Sequence, residues 1–208
     1  MSIQAVIFDL FDVLLCVGDV SVCNAYETGI GLPVNGLQQA MFWSSQFREA
    51  VAGRVGETEL WQDVANSIGV DPEEWSKLAA MFYSAIELNK ELVAFLRTLR
   101  PLYKTAILSN APSTVRTLLT QEFHLDREVE TVIISSEERV MKPHPEIFVI
   151  AASRLEIQPQ EAIFVDDELR FIEAAQLLGM VGIQFKDTRQ TIAEIQLYLE
   201  HNTLEHSS

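Results

Sequence analysis

The chain has 208 residues, 48% of them hydrophobic, and 30 acidic against 15 basic side chains give a formal charge of −15. That length and apolar content suit one large domain, or a core with a single insertion, and exclude a disordered chain. The acidic balance, with a pI near 4.6, repels phosphate backbones and anionic lipid surfaces, so neither nucleic acid nor a membrane is an expected partner, and oligomeric state stays open.

The first apolar run, Ile3 to Phe8, carries β-branched residues and ends at Asp9; it reads as a strand buried on both faces of a parallel sheet. No basic leader precedes it and no apolar run approaches a membrane span in length, so a cytoplasmic location is expected. Cys16 and Cys23 follow with neither a Cys-x-x-Cys pair nor a histidine cluster; they are expected to be reduced thiols, with Cys16 packed. Gly29, Gly31 and Gly36 lack the strand and spacing of a nucleotide-binding loop and read as a turn.

From Cys16 to Glu87 the sequence gives helix signals in succession and no convincing strand. One helix is predicted from about Leu37 onward, carrying Met41, Phe42 and Phe47, and a second from Thr58 to Ile68 closed by Gly69. A third has Asp71 as N-cap, Pro72 at its first position, Glu74 completing a capping box, and Trp75, Leu78, Ala79 and Phe82 on its apolar face. Trp43, Trp61 and Trp75 are expected to form this insertion's own core.

Alternation then resumes. Strands are predicted at Thr105–Leu108, Val132–Ile134, Ala162–Val165 and Val181–Phe185. Between them run helices such as one bearing Leu92, Phe95, Leu96 and Leu99 before Pro101, and one bearing Ala174, Ala175, Leu177 and Leu178 before Gly179. His201 to Ser208 read as a polar tail. Alternating strands and helices define a doubly wound α/β fold with right-handed crossovers. Residues 1–15 and 88–208 are expected to form the core, and 16–87 a helical cap.

An open α/β sheet presents ligands at the carboxyl ends of its strands. At those ends stand Asp9, then Ser109 and Asn110, then Lys142, then Asp166 and Asp167. Singly, each reads as a turn residue or a solvated charge. Together, carboxylates, a lysine and a hydroxyl suit a magnesium ion and a phosphoryl group.

The segments Val6-Ile7-Phe8-Asp9, Ile107-Leu108-Ser109-Asn110, Met141-Lys142-Pro143-His144-Pro145-Glu146-Ile147-Phe148 and Ile163-Phe164-Val165-Asp166-Asp167 resemble, in order, the four motifs of the haloacid dehalogenase-like hydrolase superfamily. The insertion after the first motif is similar to that superfamily's cap. The resemblance implies a three-layer, Rossmann-like core and a Mg2+-dependent phosphohydrolase acting on a small phosphorylated metabolite through an aspartyl phosphate. By resemblance Asp9 is the nucleophile. Ser109, Asn110 and Lys142 bind the phosphoryl group, Lys142 also neutralising charge. Asp9, the Phe11 carbonyl, Asp166 and Asp167 hold the metal, with Asp167 either a direct ligand or one step removed. His144, where an aspartate is usual, is expected to be a loop residue.

One position departs from the pattern. The family's phosphatases usually carry a second aspartate two residues after the nucleophile, as acid and base; here it is Phe11. Losing such a group costs about 10²- to 10⁴-fold. Asp12, one residue later, is expected to point elsewhere. Three readings follow: a phosphatase for esters with good leaving groups, such as an aldose 1-phosphate or acyl phosphate; a phosphate-binding or regulatory protein with little turnover; and, ranked lower because Asp166 and Asp167 are intact, a 2-haloacid dehalogenase. Phe47, Arg48 and Arg54 are expected at the mouth of the cap, setting specificity.

Overall fold

The computed structural model describes residues 2–205, with side chains through Glu200. The chain opens with β1 (Ala5–Phe8) and a short β2 (Leu15–Val17), then helices α1 (Ser21–Gly29), α2 (Gly36–Trp43), α3 (Phe47–Val51), α4 (Glu57–Ser67) and α5 (Trp75–Ser84). The ribbon strand β3 (Ile86–Leu88) leads into α6 (Lys90–Leu99) and β4 (Lys104–Ser109). After these come α7 (Val115–Thr117), which runs on as a π turn, β5 (Thr131–Ile134), α8 (Ser135–Glu138) and α9 (Pro145–Arg154). The chain ends with β6 (Ala162–Asp166), α10 (Leu169–Gln176), β7 (Val181–Gln184) and α11 (Thr188–Glu205). The helix thus continues past His201, where a tail was expected; residues 206–208 lie outside the described residues.

The main sheet has the order β5-β4-β1-β6-β7, every pair parallel. Alternate residues feed two separate cores, as a pleated strand buried on both sides requires. Val6, Phe8, Ile107 and Val165 pack with Leu92, Leu96 and Ile195, from α6 and α11. Ala5, Ile7, Leu108 and Phe164 pack with Phe148, Ala151 and Ile172, from α9 and α10. The result is the expected three-layer α/β fold. On α10 the inward face is Phe171, Ile172 and Ala175, and Leu177, expected within this helix, is its exposed C-cap. Gly179 adopts the left-handed φ of +88° expected of a helix-ending glycine. Among the described residues no helix is long and apolar enough to cross a membrane.

Helices α1–α5 enclose a third apolar cluster around Leu37, Met41, Leu60, Trp61, Val64 and Leu78. The long helix predicted from Leu37 is broken at Ser44. There the Ser44 hydroxyl accepts the Gln46 amide at 3.0 Å and donates to Asp63 at 2.6 Å, offering the chain an alternative to helical pairing. Asp71 does cap, accepting the Glu73 amide at 3.0 Å, but it caps a 3-10 turn, and α5 proper begins at Trp75. Only part of the tryptophan core forms: Trp61 is buried and Trp75 packs at its edge, while Trp43 is 82% exposed on the last turn of α2.

Two strands were missed. β2 and β3 form an antiparallel ribbon, Leu15 opposite Leu88 and Val17 opposite Ile86, where the chain leaves and re-enters the sheet layer. Each has three residues, too few for a period to show. A second junction lies at α3. Ser135 Oγ donates to the Val51 carbonyl at 2.6 Å and accepts the Ala111 amide at 3.0 Å. Beside it, a Cβ on Gly53 (φ +70°) would lie 2.1 Å from the Ser136 carbonyl oxygen. Gly53→Ala is therefore expected to lower unfolding free energy by about 1–3 kcal/mol in urea denaturation; an unchanged midpoint would mean that this contact is not maintained in solution.

Candidate active site

The register of the sheet builds the site. Phe8 pairs with Ile107 on one side and Val165 on the other, so Asp9 emerges at the carboxyl edge level with the ends of β4 and β6. The Asp9 amide continues the ladder to the Val165 carbonyl at 2.8 Å. Strand order reverses at β1, the crevice position in open α/β sheets.

Lys142 enters this crevice from the segment between α8 and α9 and is wholly buried. Its Nζ lies 2.9 Å from Asp9 Oδ1 and 2.6 Å from Asp166 Oδ2. The aromatic faces of Phe171 and Phe164 approach it at 5.0 and 5.5 Å. Asp9 Oδ1 also accepts the Leu10 amide at 2.7 Å, and Asp166 Oδ1 the Glu168 amide at 2.8 Å. Oxygens of Asp9, Asp166 and Asp167 lie within 4.8 Å of one another. Three carboxylates against one ammonium leave excess negative charge, and oxygen ligands at this spacing fit a hard divalent cation.

The electrostatics reflect this crowding. Burial pushes the Asp9 carboxyl up to about 7 against the pull of Lys142, with Asp166 adding to the rise. For Lys142, burial opposes the charge, but Asp9 and Asp166 outweigh it and hold the ammonium above its usual range. Asp167 is raised by burial, then by Asp166 and Asp12.

Ser109, buried at the end of β4, lines the same cavity. Asn110 does too, but both ends of its carboxamide are engaged by the main chain of Lys142: Nδ2 donates to the Lys142 carbonyl at 2.9 Å, and Oδ1 accepts its amide at 2.8 Å. His144 is the N-cap of α9, its Nδ1 accepting the Glu146 amide at 3.4 Å. Phe11 and Asp12 both line the cavity. Asp12 adopts a left-handed backbone (φ +59°), is exposed, and lies on the cavity lining. Burial raises the Asp12 carboxyl. Cys16 lies exposed on the ribbon at the cavity, not packed; no sequence signal marked the ribbon that places it.

The cavity, about 530 Å3, is closed on its other side by the helical layer. Phe47 and Arg48 line it, as expected. Arg54 does not; it forms an exposed ion pair with Glu49 five residues before it. Glu27, buried in this wall, accepts the Asn35 and Leu37 amides, each at 2.9 Å, and so fixes the turn between α1 and α2. Nothing in the local pattern singled out this glutamate, because its partners are backbone groups.

The family model for haloacid dehalogenase-like hydrolases matches residues 3–179, and the chain belongs to that family. It is therefore a hydrolase, and its relatives include phosphatases. It is 22% identical to the sesquiterpene phosphatase astK of Aspergillus oryzae over 94% of this chain and 96% of the relative. It is 30% identical to the (S)-2-haloacid dehalogenase of Xanthobacter autotrophicus over 78% of this chain and 67% of the relative. In several other relatives the match spans less than half of the relative's own length. Among solved structures, the family enzyme bt-2542 of Bacteroides thetaiotaomicron, in complex with magnesium and inorganic phosphate, shares the fold. Its TM-score is 0.72 at 23% identity, covering 88% of this chain and 94% of that one.

The wall residue Glu27 gives a direct check on this half of the cavity. Glu27→Ala strands two amides and is expected to cost about 2–4 kcal/mol of unfolding free energy, with Glu27→Gln losing less; equal, negligible losses in urea titrations would show that the turn does not depend on the carboxylate.

Proposed function

We propose that the chain is a magnesium-dependent phosphoric monoester hydrolase that passes the phosphoryl group through Asp9, with residues 16–87 acting as its cap. The observation that carries this reading is the buried Lys142 ammonium held between Asp9 and Asp166, with Asp167 completing a cluster of three carboxylates. A magnesium ion held by Asp9, Asp166, Asp167 and the Phe11 carbonyl would supply the positive charge that lets a carboxylate and a phosphate dianion approach.

The protein groups then divide the work. Asp9 Oδ1 is held by Lys142 and the Leu10 amide, and the second carboxylate oxygen, Oδ2, is the attacking atom in this reading. It bonds to phosphorus as the ester P–O bond breaks, and the departing oxygen leaves with the electron pair. Water then displaces Asp9 from phosphorus, releasing inorganic phosphate and restoring the carboxylate. Lys142 neutralises charge on the carboxylate and the transferring oxygens, and Ser109 donates to a phosphoryl oxygen. Asn110 acts through Lys142, whose main chain it clamps, rather than by touching substrate. Phe11 offers no proton, so turnover favours esters whose leaving oxygen is weakly basic.

A dehalogenase displaces halide from carbon and has no use for three clustered carboxylates; a binding protein keeps the site without turnover. Phosphate release from acetyl phosphate, sugar phosphates and nucleotides tests all three. Acetyl phosphate is expected to be the fastest, with activity lost in EDTA, lowered at least about a thousandfold in Asp9→Asn, and changed little in Asp12→Asn. Full activity in Asp9→Asn would refute the covalent route, and a fall of about 100-fold in Asp12→Asn would make Asp12 the missing acid. Halide release from 2-chloropropionate would restore the dehalogenase, and bound magnesium and phosphate with no turnover on any ester would favour the binding protein.

A further inference from the structure

The cavity is far larger than a phosphoryl group and its two halves differ in chemistry. Charge is concentrated at the strand ends. The opposite wall carries an aromatic and aliphatic patch of Leu37, Met41, Phe42, Phe47, Trp61 and Phe82, with Asn24, Gln38 and Arg48 as polar residues of the same cavity. The rings stand edge to face: Phe42 and Phe47 at 5.1 Å, Trp61 and Phe82 at 5.4 Å. The one carboxylate of that wall, Glu27, spends both oxygens on backbone amides and is not available to a ligand. A hydroxyl-rich body seated against the aromatic patch would exchange water for apolar carbon over that contact. An apolar body would instead cover surface that water now wets.

A second observation limits how that body is attached. Phe11 lines the cavity two residues after the proposed nucleophile and carries no transferable proton; Asp12, on the same cavity but exposed, is assigned no proton transfer in the reading above, which its Asn variant tests. A leaving oxygen that departs as the anion is far better as a phenolate, whose conjugate acid has a pKa of about 10, than as an alkoxide. The wall also reaches the surface: Val17 and Phe42 both line the cavity and are 55% and 50% exposed. A ring seated among the aromatic side chains thus has an apolar path outward for a substituent.

We propose that, within the phosphatase reading above on which this rests, the substrate is the phosphate monoester of an apolar phenol, its ring and substituent seated on the aromatic wall opposite Asp9. Transfer breaks the phenolic O–P bond, the phenolate takes its proton from solvent, and water later releases phosphate from Asp9.

The test is a series of phenyl phosphates bearing 4-alkyl chains of increasing length, in which leaving-group basicity is nearly constant and only apolar bulk grows. With the intact protein and magnesium, kcat/KM is expected to rise about two- to fourfold per added methylene until the cavity is filled, and to exceed that for glucose 6-phosphate throughout. Phe42→Asp, at the half-exposed mouth, is expected to reduce the gain per methylene. A flat or falling series, or a preference for glucose 6-phosphate, with acetyl phosphate still hydrolysed, would overturn this proposal and leave the phosphatase reading standing. Failure on acetyl phosphate as well would count against that reading. Calorimetric titration with the matching 4-alkylphenylphosphonates, which need no turnover, then decides separately. Affinity rising with chain length, with an increasingly negative heat-capacity change, supports the apolar seat, and affinity independent of chain length refutes it.

Discussion

A single buried ammonium organises the molecule. Lys142 has no solvent exposure, and taking such a charge out of water costs several kcal/mol unless partners replace the lost hydration. Here Asp9 and Asp166 replace it, and they can do so only because β1 and β6 end side by side in matched register. The lysine must also arrive from a different part of the chain, and Asn110 at the end of β4 holds its backbone from both sides. Three strand ends and the segment between α8 and α9 therefore have to be correct together for any one of these side chains to be tolerable.

That constraint explains which features were legible in the sequence. Strands buried on both faces must be almost wholly apolar, so Val6-Ile7-Phe8 and Ile163-Phe164-Val165 stand out, and a charge ending each run stands out more. Asp9, Asp166 and Asp167 stand out this way, Lys142 stands out within the segment Met141–Phe148, and the fold brings the four together. Features set by tertiary contacts were not legible. The Ser44 break depends on Asp63 across a helix pair, and the β2–β3 ribbon pairs residues about seventy positions apart. The left-handed backbone at Asp12, a non-glycine residue, is not readable from composition. The clamp of the Asn110 carboxamide on the main chain of Lys142 joins residues 32 positions apart and is not readable from the sequence.

The division between a charged floor and an apolar roof also links structure to the proposed chemistry. The floor is rigid, being made of strand ends and buried ion pairs. The roof is a separate apolar cluster joined to the sheet layer through a short ribbon and through the Ser135–Val51 contact. Few covalent and polar links of this kind let the roof vary in shape without disturbing the floor, which is how one catalytic apparatus serves different leaving groups. In the proposed chemistry Phe11 favours a weakly basic leaving oxygen and the aromatic surface an apolar body, and an apolar phenol combines the two.

The claim on which the account rests most heavily is that phosphorus becomes bonded to Asp9. Rapid acid quenching of the protein during turnover of 32P-labelled acetyl phosphate, followed by peptide mapping, tests it directly. Label is predicted on the peptide containing Asp9, chased by unlabelled substrate and absent in Asp9→Asn. Steady turnover with no labelled peptide, or label on any other residue, would contradict the account.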